Sequence, residues 1–205
     1  MQVIVLTGGL GAGKSTAASF FRDRGAVVID LDDVAAHALV PGSLVLDAVA
    51  AEFGGPDVLY ADGRLDRPAL ARAAFATPEA TKRLNALVHP AVIREVGPSI
   101  SELRLLPDPP PFVVIEVPLL VEAPVFAEIA DHVVAIVAPE SVRLARAVAS
   151  GLSEEDARRR MRAQATDAER AELADVVIVN DGPLERLTSS LERFWEEYAV
   201  GGGAR

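Results

Sequence analysis

Gly8, Gly13, Lys14 and Ser15 stand in the spacing G-x-x-x-x-G-K-[ST], inside the stretch Leu6-Thr7-Gly8-Gly9-Leu10-Gly11-Ala12-Gly13-Lys14-Ser15-Thr16. Each residue type has a chemical reason at its place. Glycines let successive backbone N–H groups turn inward onto phosphate oxygens. A lysine carries a positive charge to the β- and γ-phosphates, and a serine hydroxyl can hold Mg²⁺. The expected nucleotide contacts are therefore Gly9, Gly11, Ala12, Gly13, Lys14, Ser15 and Thr16. Lys14 also acts on the group transferred, and Ser15 is the expected metal ligand.

Such a loop works only between a strand and a helix. The apolar run Val3-Ile4-Val5-Leu6 before it reads as a buried strand. Ala17-Ala18-Ser19-Phe20-Phe21-Arg22 after it reads as a helix that ends near Gly25. The helix N-terminus adds partial positive charge toward the bound anion. Four further apolar runs read as strands: Ala26–Ile29, Phe112–Val117, Asp131–Val137 and Asp175–Asn180. Five apolar strands alternating with helices predict a P-loop NTPase-type α/β fold. It is a three-layer sandwich: a five-stranded parallel sheet with helices on both faces.

The 205 residues suffice for one such domain with an insert. A net charge of −10 argues against a nucleic-acid-binding surface. The absence of cysteine rules out disulfide and thiolate chemistry. The N-terminal stretch has no basic region or cleavage site, and its apolar run is too short for a signal or membrane helix. The expectation is a cytoplasmic monomer without a membrane partner.

Residues 34–106 read as a helical insertion. Ser43 caps a helix over Leu44–Phe53, and Asp-Gly at 62–63 marks a small hairpin or turn. Asp66 with Pro68, and Thr77 with Pro78, start two more helices. His89-Pro90 is expected to break the chain before a longer helix reaching about Leu105. The proline-rich run 107–111 reads as a stiff spacer. Pro139 opens a helix through Ala149, and Ser153 caps another that carries Arg158, Arg159, Arg160 and Arg162. Leu184, Leu187, Leu191, Phe194, Trp195 and Tyr198 share one face of the last helix and read as core. The expected organisation is a core of residues 1–33, 112–149 and 164–200, the insertion 34–106, and a lid 150–163.

A P-loop alone leaves a GTPase switch, a mechanical ATPase or a small-molecule kinase. The late strand ends Val179-Asn180-Asp181-Gly182, without the Lys-x-Asp of a guanine site, and the chain is short for a mechanical ATPase. A kinase needs a carboxylate near the acceptor, an acceptor-binding subdomain and arginines on a lid. All have candidates here, although a metabolite kinase of another specificity and a regulatory nucleotide-binding protein share the scaffold.

Several stretches narrow the choice: Ile29-Asp30-Leu31-Asp32, Asp62–Arg67, Leu84-Asn85-Ala86-Leu87-Val88-His89-Pro90, Val117-Pro118-Leu119-Leu120-Val121-Glu122, Gly151-Leu152-Ser153 followed by Gln164, and Ala174–Asn180. In this order and spacing they resemble the dephospho-CoA kinase family nearly end to end. The resemblance implies ATP-dependent, Mg²⁺-assisted phosphorylation of the ribose 3′-hydroxyl of dephospho-CoA.

It also implies roles. Asp32 would be the catalytic carboxylate, as base or through Mg²⁺, although a helix start suits an aspartate equally. Arg67 would bind an acceptor phosphate, with an ion pair to Asp66 as the plainer reading. His89 would touch the acceptor or simply pack. Pro118, Leu119 and Leu120 would form an apolar wall with Glu122 as a polar contact. Asn180 and Gly182 lie where adenine is held, or form a turn. Glu116 stands at a Walker B position or bonds within the core. The family's lid arginines fall on Ala145 and Ala149 here. Arg146, three residues from Ala149, is the expected substitute that acts on the transferring phosphoryl group, with a lid arginine after residue 153 as the alternative.

Overall fold

The computed structural model describes residues 1–200. It divides into two compact units, Met1–Asp30 with the chain from Leu103 onward, and Leu31–Glu102.

The first unit is built on five strands: β1 (Gln2–Gly8), β2 (Val27–Asp30), β3 (Phe112–Glu116), β4 (His132–Val137) and β5 (Val176–Val179). They pair in the order β2-β3-β1-β4-β5, all parallel. Their unbroken apolar sequences follow from burial on both faces of the sheet. Ile4, Leu6, Phe112, Val114, Val134 and Ile136 pack with α1 (Lys14–Asp23) and α9 (Leu184–Trp195). The alternate residues Val3, Val5, Val113, Ile115 and Val133 are buried as well. On α9 the stripe Leu187, Leu191 and Phe194 is buried, but Leu184 is exposed because it sits in the first turn, beyond the reach of the core.

Between these lie α6 (Glu140–Ala149), α7 (Glu154–Arg162) and α8 (Asp167–Leu173). Ser153 caps α7 by accepting from Asp156 N–H at 3.1 Å. Ala157 and Met161 of α7 pack with Ala147 of α6 and with Leu10 and Leu144. Residues 150–163 are thus fastened to the P-loop by apolar contact.

The second unit holds α2 (Leu31–Ala38), α3 (Leu44–Phe53), α4 (Arg67–Ala74) and α5 (Pro78–Arg104). Ser43 caps α3 through Leu46 N–H at 3.0 Å, and Asp66 caps α4 through Ala69 N–H at 2.9 Å. The Asp62-Gly63 turn is closed by an antiparallel bridge between Leu59 and Leu65.

One expectation fails. His89-Pro90 does not break the chain, and α5 runs on through Pro90 and Pro98. Val88, Val92, Val96 and Ile100 recur every four residues and are all buried. Burying that stripe outweighs the bond each proline deletes. Both prolines sit on the exposed side, where water can satisfy the freed carbonyls.

Phe21 is fully buried, with ring centroids of Phe20, Phe112 and Phe194 at 5.6, 6.0 and 5.8 Å. Phe21→Ala is expected to destabilise this unit by about 3–5 kcal/mol. The single tryptophan, Trp195, packs at 6.3 Å from Phe21 and reports the urea transition by fluorescence.

Candidate active site

The P-loop joins β1 to α1 at the carboxyl edge of the sheet, where open parallel sheets bind ligands. Its glycines are required by what surrounds them. A Cβ on Gly11 would lie 2.3 Å from the Arg143 carbonyl oxygen, and one on Gly13 would lie 2.3 Å from Asn180 Nδ2. Both residues also have positive φ, +74° and +103°. The loop backbone is therefore clamped by α6 on one side and the end of β5 on the other. Asn180 is buried and donates from Nδ2 to the Ala12 carbonyl at 2.8 Å.

The charged groups follow. Lys14 Nζ is ion-paired and hydrogen-bonded to the Glu116 carboxylate at the end of β3. Glu116 stands in register with Leu6 of β1 and Asp30 of β2, so two acidic residues occupy neighbouring strand ends. Ser15 and Thr16 are exposed in the first turn of α1. A cavity of about 460 Å³ lies over the loop, lined also by Pro118, Arg146, Ser150 and Gln164.

Arg146 lines this cavity, but its guanidinium is engaged. It donates to the Asn180 carbonyl at 3.0 Å, to Asn180 Oδ1 at 3.2 Å and to the Gly182 carbonyl at 3.2 Å. Its charge serves the β5 end in this arrangement, where adenine is expected, and not the tip of the P-loop. On α7, Arg158 pairs with Glu154 and Arg159 with Asp156.

Two other arginines flank the loop: the sequence places Arg143 on the same helix as Arg146 without giving it a role, and Arg170 was missed. Arg143 is buried, donates to the Ala138 carbonyl at 3.1 Å and lies 3.7 Å from Asp167. Arg170 is 1% exposed, donates to the Ala165 carbonyl at 2.6 Å and pairs with Asp167 at 3.3 Å. Both guanidiniums abut Gly9. Burial pushes the Arg170 pKa down, Asp167 and Glu122 oppose that, and Arg143 adds to it. Arg170 sits on α8, a helix absent from the sequence reading. Its signal was present, because Thr166 and Glu169 form a capping box, with Glu169 N–H to Thr166 Oγ1 at 3.2 Å and Thr166 N–H to Glu169 at 2.7 Å.

At the end of β3, Pro118 is half-buried at the cavity, Leu119 is exposed and Leu120 is buried in the core. Only part of the expected apolar wall therefore faces the cavity. Glu122 accepts from the Ala165 backbone N–H at 3.1 Å.

The remaining candidates belong to the second unit. Asp32 and Asp33 are exposed in the first turn of α2, where the helix dipole favours acids. Arg67 opens α4 and is exposed; among the described residues it makes no ion pair, while Asp66 is used as the cap. His89 is half-buried on α5, and burial pushes its pKa below the ordinary 6.5, so it is neutral at pH 7.

With the geometry described, comparison with known proteins decides the family. The dephospho-CoA kinase family model matches residues 2–186. The chain belongs to the dephospho-CoA kinase family. The dephospho-CoA kinase of Frankia casuarinae is 42% identical over 198 residues, covering 96% of this chain and 83% of that one. A crystal structure of TT1252 from Thermus thermophilus has a TM-score of 0.77 at 38% identity, covering 96% of this chain and 97% of that chain. Dephospho-CoA kinase from Campylobacter jejuni shares the fold, with a TM-score of 0.70 at 23% identity over 98% of each chain. The architecture is that of a P-loop kinase.

Two outcomes follow. Asn180→Ala unpairs the Ala12 carbonyl and removes one of the three Arg146 bonds, so ADP affinity is expected to fall about tenfold by calorimetry while the fold persists. The second concerns pH. Because the folded-state pKa of His89 is depressed, the unfolded chain binds more protons as pH falls through the ordinary 6.5, and stability declines there. His89→Gln should lose less stability than the wild type between about pH 7.5 and about pH 5.5, read from urea midpoints.

Proposed function

We propose that this kinase transfers the γ-phosphoryl group of ATP to the ribose 3′-hydroxyl of dephospho-CoA, giving CoA and ADP in the last step of coenzyme A biosynthesis. The observation that carries this reading is the family match over residues 2–186, with the whole P-loop and Lys14 in place.

The P-loop amides and the α1 N-terminus bind the β- and γ-phosphates of ATP, and Lys14 leaves Glu116 to reach them. The donor set fits Mg²⁺. Ser15 offers an exposed hydroxyl, and Glu116 a carboxylate at the adjacent strand end. Among the described residues no three acidic or imidazole groups gather into a cage. When bound, Mg²⁺ neutralises charge on the phosphates. Asn180 and Arg146 shape the adenine end.

Asp32 orients the acceptor hydroxyl and accepts its proton as the new O–P bond forms and the bond to the β-phosphate oxygen breaks. Arg67 binds an acceptor phosphate, neutral His89 offers a ring nitrogen to the acceptor, and Pro118 with Leu119 gives apolar contact. The proposed setting is the cytoplasm, with the monomer as the acting unit. No helix among the described residues is long and apolar enough to cross a membrane.

The test presents purified protein, ATP and Mg²⁺ with dephospho-CoA, nucleoside monophosphates or no acceptor. ADP release is expected only with dephospho-CoA, and release indifferent to that acceptor would sink the reading. Asp32→Asn should lower kcat by about 10²-fold with ATP affinity unchanged. Intact turnover would reduce Asp32 to a helix-start acid.

A further inference from the structure

Ala145 and Ala149 leave α6 without a charge at those two positions, Arg146 is bonded to Asn180 and Gly182, and the cations beside the loop are Lys14 and the Arg143 and Arg170 guanidiniums at Gly9. Gln164 lines the same cavity and is tied to the loop itself. Its Oε1 accepts from the Leu10 backbone N–H at 2.9 Å, across 154 residues of chain. That bond fixes which way the amide points. A backbone N–H needs an acceptor, so the carboxamide oxygen faces Leu10 and the two Nε2–H groups are directed elsewhere. Among the described residues Nε2 has no hydrogen-bond partner.

The backbone around Gln164 is held on every side. Gln164 N–H reaches the Met161 carbonyl at 3.2 Å, Ala165 N–H reaches Glu122, and the Ala165 carbonyl takes the buried Arg170. Thr166 then starts α8 through its capping box. A polar side chain fixed this firmly beside the P-loop has the features of a preorganised donor.

We propose that Gln164 is a further catalytic residue of this chain. Its Nε2–H groups donate to a non-bridging oxygen of the phosphoryl group in transit, while Oε1 stays on Leu10. Gln164 exchanges no proton: the acceptor oxygen bonds to phosphorus, the β-phosphate oxygen departs with its electron pair, and the hydroxyl proton goes to Asp32. The role rests on the kinase reading but not on the identity of the acceptor. It also accounts for Glu122 and Arg170, which hold the segment that carries the amide. They are positioning residues.

Gln164→Glu is the discriminating variant, because it keeps the oxygen that pins Leu10 and removes both donors. Gln164→Met removes donor and pin together. The readouts are kcat, ADP affinity, and affinity for ADP with aluminium fluoride, which mimics the phosphoryl group in transit without any acceptor. Both variants are expected to lower kcat by about 10²-fold. The ratio of aluminium fluoride–ADP affinity to ADP affinity should fall by a similar factor. Wild-type kcat in Gln164→Glu would overturn the proposal and leave Gln164 as a pin. So would a loss of ADP affinity that accounts for the whole fall in both variants. Wild-type protein run against the acceptor panel separates the two failures: if it ignores dephospho-CoA, the acceptor reading falls, while the aluminium fluoride ratio still decides Gln164.

Discussion

The sheet unit of this molecule depends on how the P-loop backbone is held in place. The loop is held by contacts from three other parts of the chain. Asn180 bonds the Ala12 carbonyl, Arg143 presents its backbone to Gly11, and Gln164 takes the Leu10 N–H. Three separate chain segments, from β5, α6 and the α7–α8 connection, meet on one short loop. The sheet order sets this up: β1 is central, so its carboxyl end has β4 and then β5 on one side and β3 on the other.

The same packing decides where charge is stored. Lys14 is paired with Glu116, while Arg143 and Arg170 share Asp167 behind Gly9. Isolated, each of these partly buried charges would cost several kcal/mol. Pairing with Glu116 and Asp167 offsets that cost. Glu116 and Asp30 stand in register at neighbouring strand ends.

Local signals made much of this legible. The P-loop, the Ser43, Asp66 and Ser153 caps and the apolar strands are short-range patterns, and local geometry suffices to satisfy them. The α8 helix had an equally local signal in Thr166-x-x-Glu169, hidden beside a run of arginines that drew attention to charge. Pro90 misled in the other direction. A proline penalty is fixed and local, whereas the stripe from Val88 to Ile100 gains its weight only on packing. Side-chain direction was the least legible. Arg146 was expected to face the transferring phosphoryl group, but a long side chain sweeps a wide arc, and in the structure it bonds the end of β5.

That last point bears on how a kinase can tolerate alanine at 145 and 149. An arginine on a lid contributes through charge that arrives when the lid closes, and it must be desolvated each time. A neutral amide already bonded to the loop gives less attraction but needs no ordering step, and its dipole is aimed before the nucleotide arrives. Ala157 and Met161 pack α7 against Ala147, with Leu10 beside them, which favours the fixed arrangement. That apolar contact, with the Gln164 bond to Leu10, keeps the end of α7 beside the P-loop.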